Sequence, residues 1–148
     1  MLQEDYIMRL IRQASLVAGR IMELKRAADP NPLLEVISQA YDEILDVDPH
    51  QMEGWSEQDF DQWLKSVDWH PSQFELLANL LQTKGELLSA QGESPRAQAF
   101  LSRTIRVLDR AGEVEKVYSL ERQTRIASLR QQLENHPGPQ SDSEGAKH

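Results

Sequence analysis

Asp46, Asp48 and Glu57 are the residues whose type and spacing come nearest to a metal site. They occupy positions 1, 3 and 12 of a calcium-binding loop, and the residues on both sides are predicted to be helical. Position 6 is Gln51, where the sharp turn of such a loop requires glycine, and position 5 is His50, a poor ligand for a hard cation. We therefore favour an ordinary acidic loop before a capped helix, and we assign no metal ligand.

Catalysis and cofactor binding have no recognisable signature in the chain. It contains no cysteine, and two of its four histidines lie in the C-terminal tail, while His50 and His70 adjoin prolines in predicted loops. There is no glycine-rich phosphate loop, no His-Glu-x-x-His motif and no nucleophile elbow. We assign no catalytic or cofactor-binding residue and favour a protein that is not an enzyme. A polar site assembled in space between helices, for a small molecule or a reaction, is the alternative.

Aromatic residues form the first candidate surface for a protein partner. Trp55, Phe60, Trp63 and Trp69 follow one another closely, and they include all three tryptophans of the chain. One interpretation is a short helix that lies as a lid over the core with its rings buried. The other is a partner-binding patch, because tryptophan and tyrosine anchors dominate the energetics of interfaces.

Arginines form the second candidate surface. Arg96, Arg103, Arg106 and Arg110 share one face of a predicted helix. The stripe is expected to be solvated or paired with acidic residues of the chain, and binding of an acidic peptide or RNA is the alternative.

Acidic residues are concentrated in one segment. The net charge is −8, but residues 29–70 hold eleven acids and the single base Lys65, a balance of −10. A nucleic-acid-binding protein needs a dominant basic surface, so we predict no nucleic-acid partner. The segment is expected to be a solvated face.

A long amphipathic helix is predicted over residues 3–28. Four heptads of apolar spacing are typical of a helix that packs along an equally long partner, within the chain or across a dimer. We therefore consider a homodimer through residues 7–28. The apolar residues recur at spacings of three and four, and they are Ile7, Leu10, Ala14, Val17, Ile21, Leu24 and Ala28.

Apolar periodicity also predicts helices over 33–47, about 56–67, 72–88, 95–111 and 113–133. Asn31, Ser56 and Ser72 are expected to cap the helices that they precede, Ser72 with Glu75 in a capping box. The apolar face of the last helix drifts, which predicts either a bend near Arg122 or a helix contacted on two sides.

The two helices of residues 72–111 are predicted to form an antiparallel hairpin. Gly92 suits a left-handed stop after the first of them, Ser94 a cap and Pro95 the first helical position of the second. Gly112 is expected to end the hairpin.

The hairpin resembles a tetratricopeptide repeat, which places small residues where its two helices cross. The resemblance covers about 34 residues and implies helix-hairpin packing, although Lys84, Thr104 and Asp109 depart from the repeat's pattern. The residues that carry it are Gly85, Leu88, Gly92, Ala97 and Leu101.

A second resemblance starts with the run Glu4-Asp5-Tyr6-Ile7-Met8-Arg9-Leu10-Ile11 at the beginning of a long helix. This opening, followed by a short all-helical chain, is similar to a family of small bacterial proteins known as a domain of unknown function. The resemblance implies an all-helical, repeat-like fold and a bacterial origin, and it implies no activity.

Together these patterns predict an all-α fold of five or six helices in one domain, residues 1–134. The polar residues 135–148 are predicted to be a disordered tail. No secretory signal and no run of ~20 apolar residues is present, so we expect a soluble, cytoplasmic protein without a membrane partner. The function expected is a non-catalytic helical module for protein–protein interaction or scaffolding, with an unknown protein partner.

Overall fold

The computed structural model describes residues 2–135, with side chains from Glu4 onward, and its only regular elements in that range are helices. The predicted all-α class is confirmed. The predicted tail lies outside the described residues, apart from Asn135, which is the last residue of α7. The α-helices are α1 (Leu2–Leu24), α2 (Asn31–Ala40), α3 (Pro49–Glu53), α4 (Glu57–Ser66), α5 (Pro71–Ala90), α6 (Ser94–Glu115) and α7 (Leu120–Asn135).

The described helices number seven rather than five or six because α3 forms where a loop was predicted. The side chain of Asp48 accepts a hydrogen bond from the backbone N–H of His50 at 3.0 Å, and Pro49 occupies the first turn. A capping acid followed by proline is a start signal for a helix. The segment 46–57 therefore contains a short helix where a loop without regular structure was predicted.

The chain divides between Leu77 and Ala78 into two compact units. The boundary falls inside α5, whose first part belongs to the first unit and whose second part belongs to the second. The prediction of a single domain stays a prediction.

In the first unit, α1 packs against α2 and the π-helical segment Tyr41–Leu45 that continues α2. The apolar stripe predicted for α1 is the face that is covered. Leu10 and Ile21 are each 3% exposed. The helix ends at Leu24, and Ala28, the last residue of the predicted stripe, lies beyond the end and is exposed.

Two of the predicted helix starts are displaced from the residues expected. Asn31 is itself the first residue of α2, and its N–H donates to the carboxylate of Asp29 at 3.0 Å. The start of α5 is capped by His70 instead of Ser72. The Nδ1 atom of His70 accepts from the N–H of Ser72 at 3.1 Å, and the Oε1 atom of Gln73 accepts from the N–H of His70 at 2.9 Å. These reciprocal bonds make a capping box two residues earlier than predicted.

The start of α4 follows the prediction. The Oγ atom of Ser56 accepts a hydrogen bond from the N–H of Asp59 at 3.1 Å, so Ser56 is the cap of this helix.

In the second unit, the turn before α6 forms at the predicted glycine. Gly92 has φ +81°, the left-handed conformation that favours glycine. The predicted cap Ser94 is the first residue of α6, and its neighbour Glu93 precedes the helix without a side-chain cap. Pro95 lies in the first turn, where no backbone N–H is needed.

The predicted helix end at Gly112 is wrong, because α6 continues through Gly112 to Glu115. The chain instead leaves the helix at Lys116, whose φ is +61°. The Oγ atom of Ser119 then accepts from the N–H of Arg122 at 3.1 Å at the start of α7. The drifting apolar face of the predicted last helix is explained by this break at 116–119, which precedes Arg122.

Candidate interaction surfaces

The outer face of α1 is the first surface, and it was not singled out from the sequence. Met8 is 57% exposed, Ile11 37% and Met22 64%, although the neighbouring stripe of the same helix is buried. Met8 and Met22 are fourteen residues apart, close to four helical turns, so they lie on one line along the helix. We call Met8, Ile11, Ser15, Gly19 and Met22 the outer seam.

The outer seam has a narrow centre. Ser15 and Gly19 are exposed, and a Cβ added to Gly19 would meet no atom within 4 Å. Small residues of this kind allow a second helix backbone to approach closely. The seam therefore has large apolar side chains near its ends and space in its middle.

Charged residues lie at both ends of α1. Glu4 and Asp5 are in its first turn, and Lys25 and Arg26 follow its last residue. The N–H of Lys25 donates to the carbonyl of Ile21 at 2.9 Å, so the backbone is still wound as a helix at that point. Acids at the start and bases at the end complement the helix dipole, and they give the helix opposite charges at its two ends.

The predicted aromatic residues are brought together by α4 and the residues around it. The ring centroids of Trp55, Phe60 and Trp69 lie 5.3, 5.8 and 5.4 Å from that of Trp63. Trp69 in turn lies 5.2 Å from Phe74 at the start of α5. These separations are those of favourable tilted and edge-to-face ring pairs.

This aromatic cluster is a packing unit of the first unit of the chain. Phe60 and Phe74 are each 0% exposed, and the three tryptophans are half-buried. The rings therefore contact one another and leave only part of each indole at the surface. Partner binding by Trp55, Phe60, Trp63 and Trp69 stays a prediction.

The four predicted arginines of α6 differ in their surroundings. Arg96 pairs with Glu93 at 3.2 Å and Arg110 with Glu113 at 3.1 Å. Arg103 is only 6% exposed, and Arg106 is half-buried. The stripe thus contains one exposed arginine, Arg96, and its binding role stays a prediction.

Other arginines of the second unit hold polar contacts that sequence periodicity does not reveal. The side chain of Arg122 is 5% exposed, and its Nη2 atom lies 2.9 Å from the carboxylate of Glu115. Arg125 donates to the amide oxygen of Gln82 at 2.9 Å from Nε and 2.6 Å from Nη2. The Arg122 pair spans seven residues across the break between α6 and α7, and the Arg125 pair spans 43 residues, so helical spacing alone predicts neither of them.

The carboxyl group of Asp109 has a shifted pKa. Burial desolvates its carboxyl group and raises the pKa, the guanidinium of Arg130 at 3.8 Å lowers it, and the charge of Glu113 raises it further. The net effect is a pKa above the ordinary value of an aspartate. Asp109 lies on the surface of α6 rather than in a cleft, so this shift does not mark a catalytic site.

The second unit contains a cavity of about 170 Å³ beside α6. Ser89, Ser94 and Gln98 contribute polar groups to its wall, and the buried Nε2 atom of Gln98 has no hydrogen-bond partner among the described residues. Sites for drug-sized ligands usually measure ~300–1,000 Å³. The cavity is therefore suited at most to a very small polar molecule.

The acidic segment lines an open depression of about 670 Å³ in the first unit, with Asp42, Asp46 and Asp48 at its wall. Within residues 2–135, no group of three or more histidine, aspartate or glutamate side chains is placed to hold a metal ion. Asp46 is in the left-handed conformation with φ +54°, and Asp48 caps α3. Of the three acids compared with a calcium loop, Asp48 therefore caps a helix.

None of the helices in the described part of the chain is both long and apolar enough to cross a membrane. No protein-family model, curated protein or solved structure matches the chain. The resemblances to a tetratricopeptide repeat and to an uncharacterised bacterial family therefore stay predictions.

Proposed function

We propose that the protein is a non-catalytic helical interaction module that self-associates through the outer face of α1. This face differs from the stripe of residues 7–28 through which a dimer was predicted, because α2 and the segment Tyr41–Leu45 pack against that stripe. One observation supports this proposal: Met8 and Met22 are 57% and 64% exposed on a helix whose other apolar stripe is already covered. Exposed apolar side chains that share one face of a helix can join into an interface when a partner covers them, and this is the basis of the proposal. A dimer would carry two copies of the partly exposed indoles of Trp55, Trp63 and Trp69, to which further partners could bind in a scaffold. We place this activity in the cytoplasm, because a chain without cysteine needs no disulfides and therefore no oxidising compartment.

Size-exclusion chromatography with light scattering tests the self-association. At micromolar concentration we expect twice the 17.0 kDa mass of one chain. The double variant Met8→Glu/Met22→Glu is expected to run as a monomer with an unchanged helical circular dichroism spectrum. Leu16→Glu is the matched control, because Leu16 is 68% exposed but lies about 100° around the helix from Ser15. A wild-type chain that remains monomeric would overturn the proposal.

We also propose that α5 and α6 form an antiparallel, tetratricopeptide-like hairpin. The support comes from Gly85, where an added Cβ would lie 3.1 Å from Leu101 Cδ2 and 3.2 Å from Phe100 Cβ. A glycine at such a close approach fits the small position at which the repeat's helices cross. The left-handed Gly92 agrees with a tight connection between the two helices.

Small-molecule binding is the second candidate function, and the unpartnered amide nitrogen of Gln98 at the 170 Å³ cavity favours it. A buried donor without a partner is costly unless water or a ligand accepts its hydrogen bond. Native mass spectrometry of the chain purified from its own cells tests this candidate. A bound small molecule that is lost in Gln98→Leu would support it, and identical bare masses for both proteins would remove it.

A further inference from the structure

We propose that two copies of α1 pair antiparallel about Ser15, so that Met8 of one copy faces Met22 of the other. This inference rests on the proposed self-association and specifies its register. The positions of the exposed seam residues, the space at the centre of the seam and the charges at its ends support this register.

The apolar residues of the outer seam are placed symmetrically about Ser15. Met8 lies seven residues before it and Met22 seven residues after it. A two-fold axis at Ser15 therefore brings each methionine against the other methionine of the partner. Methionine side chains adapt readily to such a contact because they are unbranched and polarisable. The two contacts cover the most exposed apolar side chains of the seam.

Near the centre of the seam, a large side chain of one copy lies opposite a small residue of the other. Under the same symmetry, Ile11 faces the partner's Gly19, four residues on the other side of Ser15. Gly19 is open, since a Cβ there would meet no atom within 4 Å. A branched side chain opposite a glycine is the large-to-small complementarity that packed helices need. The same pairing repeats on the other side of the axis.

The charges at the two ends of α1 favour an antiparallel over a parallel pair of helices. Glu4 lies on the line of Met8 and Met22, eleven residues before Ser15, and Arg26 lies eleven residues after Ser15, in the turn that follows the end of α1 at Leu24. An antiparallel pair places Glu4 against the partner's Arg26 twice, whereas a parallel pair places like charges together at both ends. Both residues are exposed. Opposite charges across an interface fix its register and reject the alternative direction.

The symmetry of the seam favours a second copy of the same chain as its binding partner. A different protein would need to match the seam by coincidence, whereas a second copy matches it through its own sequence. The pairing also leaves the buried stripe of Leu10 and Ile21 in place against α2, so the fold of the first unit is unchanged.

Cysteine cross-linking tests the register in the full chain, because the protein contains no cysteine. Facing Cα atoms of two closely packed helices lie roughly 5 Å apart, within the range that a disulfide spans. The antiparallel register places the two Ser15 residues together but separates the two Met8 residues by about 21 Å. We therefore expect Ser15→Cys to form a covalent dimer under mild oxidation and Met8→Cys alone to form none. A mixture of Met8→Cys and Met22→Cys is expected to cross-link.

The outcomes distinguish the direction of the helix pair from the self-association itself. Cross-linking of Met8→Cys and Met22→Cys each with itself would indicate a parallel pair and overturn the register. Light scattering that shows a dimer without cross-linking in any variant would overturn the register and leave the self-association intact. A monomer in light scattering would remove both proposals.

A charge reversal gives an independent measurement. Glu4→Arg is expected to raise the dimer Kd by roughly 2–30-fold, because two exposed ion pairs are lost at once. Adding Arg26→Glu in the same chain is expected to restore the Kd. A double variant that binds more weakly than Glu4→Arg would contradict the pairing of these two ends.

Discussion

At the scale of the residue, a few polar side chains decide where the helices begin. His70 is the clearest example, because its imidazole and the amide of Gln73 bond each other's backbone N–H groups. The start was predicted two residues later, at Ser72, since serine is the commoner cap. A histidine followed directly by proline was the available signal, because proline favours the first turn of a helix.

Replacing the cap of α5 should therefore lower the stability of the fold. His70→Ala removes the Nδ1 acceptor and is expected to reduce the free energy of unfolding by about 0.5–2 kcal/mol. His70→Asn keeps an acceptor at the cap and should lose much less. His50→Ala is the control, because His50 is exposed and also neighbours a proline. Urea unfolding of the three variants measures the difference, and equal losses in the alanine and asparagine variants would contradict the cap.

Ion pairs of the second unit should differ in strength according to burial. Glu115→Gln weakens the partner of a buried guanidinium and is expected to reduce the free energy of unfolding by about 1–3 kcal/mol. Glu113→Gln alters a more exposed pair with Arg110 and should reduce it by about 0.2–1 kcal/mol.

Thermal or urea unfolding of both glutamine variants at neutral pH provides the comparison. The side chain of Arg122 is 5% exposed and that of Arg110 25%, which is the physical reason for the expected order. The reverse order would show that the Arg122 pair is not a stabilising contact.

At the scale of the element, the existence of helices was predictable and their ends were less so. Apolar spacing of three and four residues located α1, α4, α5 and α6, because burial of one stripe is what stabilises an amphipathic helix. The spacing of Val114 and Ile126 could not locate the break between α6 and α7. That break depends on Lys116, a residue type that rarely adopts a positive φ.

The interaction surfaces were predictable only in part, because their exposure depends on how the helices pack. The sequence identifies which residues are apolar but not which apolar stripe is covered by α2, so Met8 and Met22 were overlooked beside the stripe of Leu10. The proximity of Trp63 to three other rings also required the fold, although their closeness in sequence was visible.

Two glycines of the second unit should respond oppositely to substitution. Gly85→Val places new atoms against Leu101 and Phe100, and we expect a loss of about 1–3 kcal/mol in the free energy of unfolding. Gly112→Ala should instead increase stability by about 0.5–1 kcal/mol, because alanine favours a helix and its Cβ would lie 3.8 Å from the nearest atom, Nη1 of Arg122. Urea unfolding checks both. A neutral or stabilising Gly85→Val would contradict the close approach of α5 and α6.

At the scale of the whole molecule, self-association should appear in the thermal stability. A partner that binds only the folded chain stabilises it by mass action, so the Tm of a dimer rises with protein concentration. We expect this rise for the wild type and for Leu16→Glu, and its absence for Met8→Glu/Met22→Glu. Differential scanning calorimetry over a range of concentrations measures it. A Tm independent of concentration in the wild type would contradict the dimer.

Tryptophan fluorescence and circular dichroism report on different parts of this chain as it unfolds. All of them lie before Leu77, so their emission follows the first compact unit, whereas circular dichroism in the far ultraviolet follows helices on both sides of the boundary in α5. A single cooperative domain requires the two signals to change at the same denaturant concentration. Different midpoint denaturant concentrations for the two signals would show that the two units unfold independently. The natural tryptophans are sufficient for this measurement, so no label has to be added.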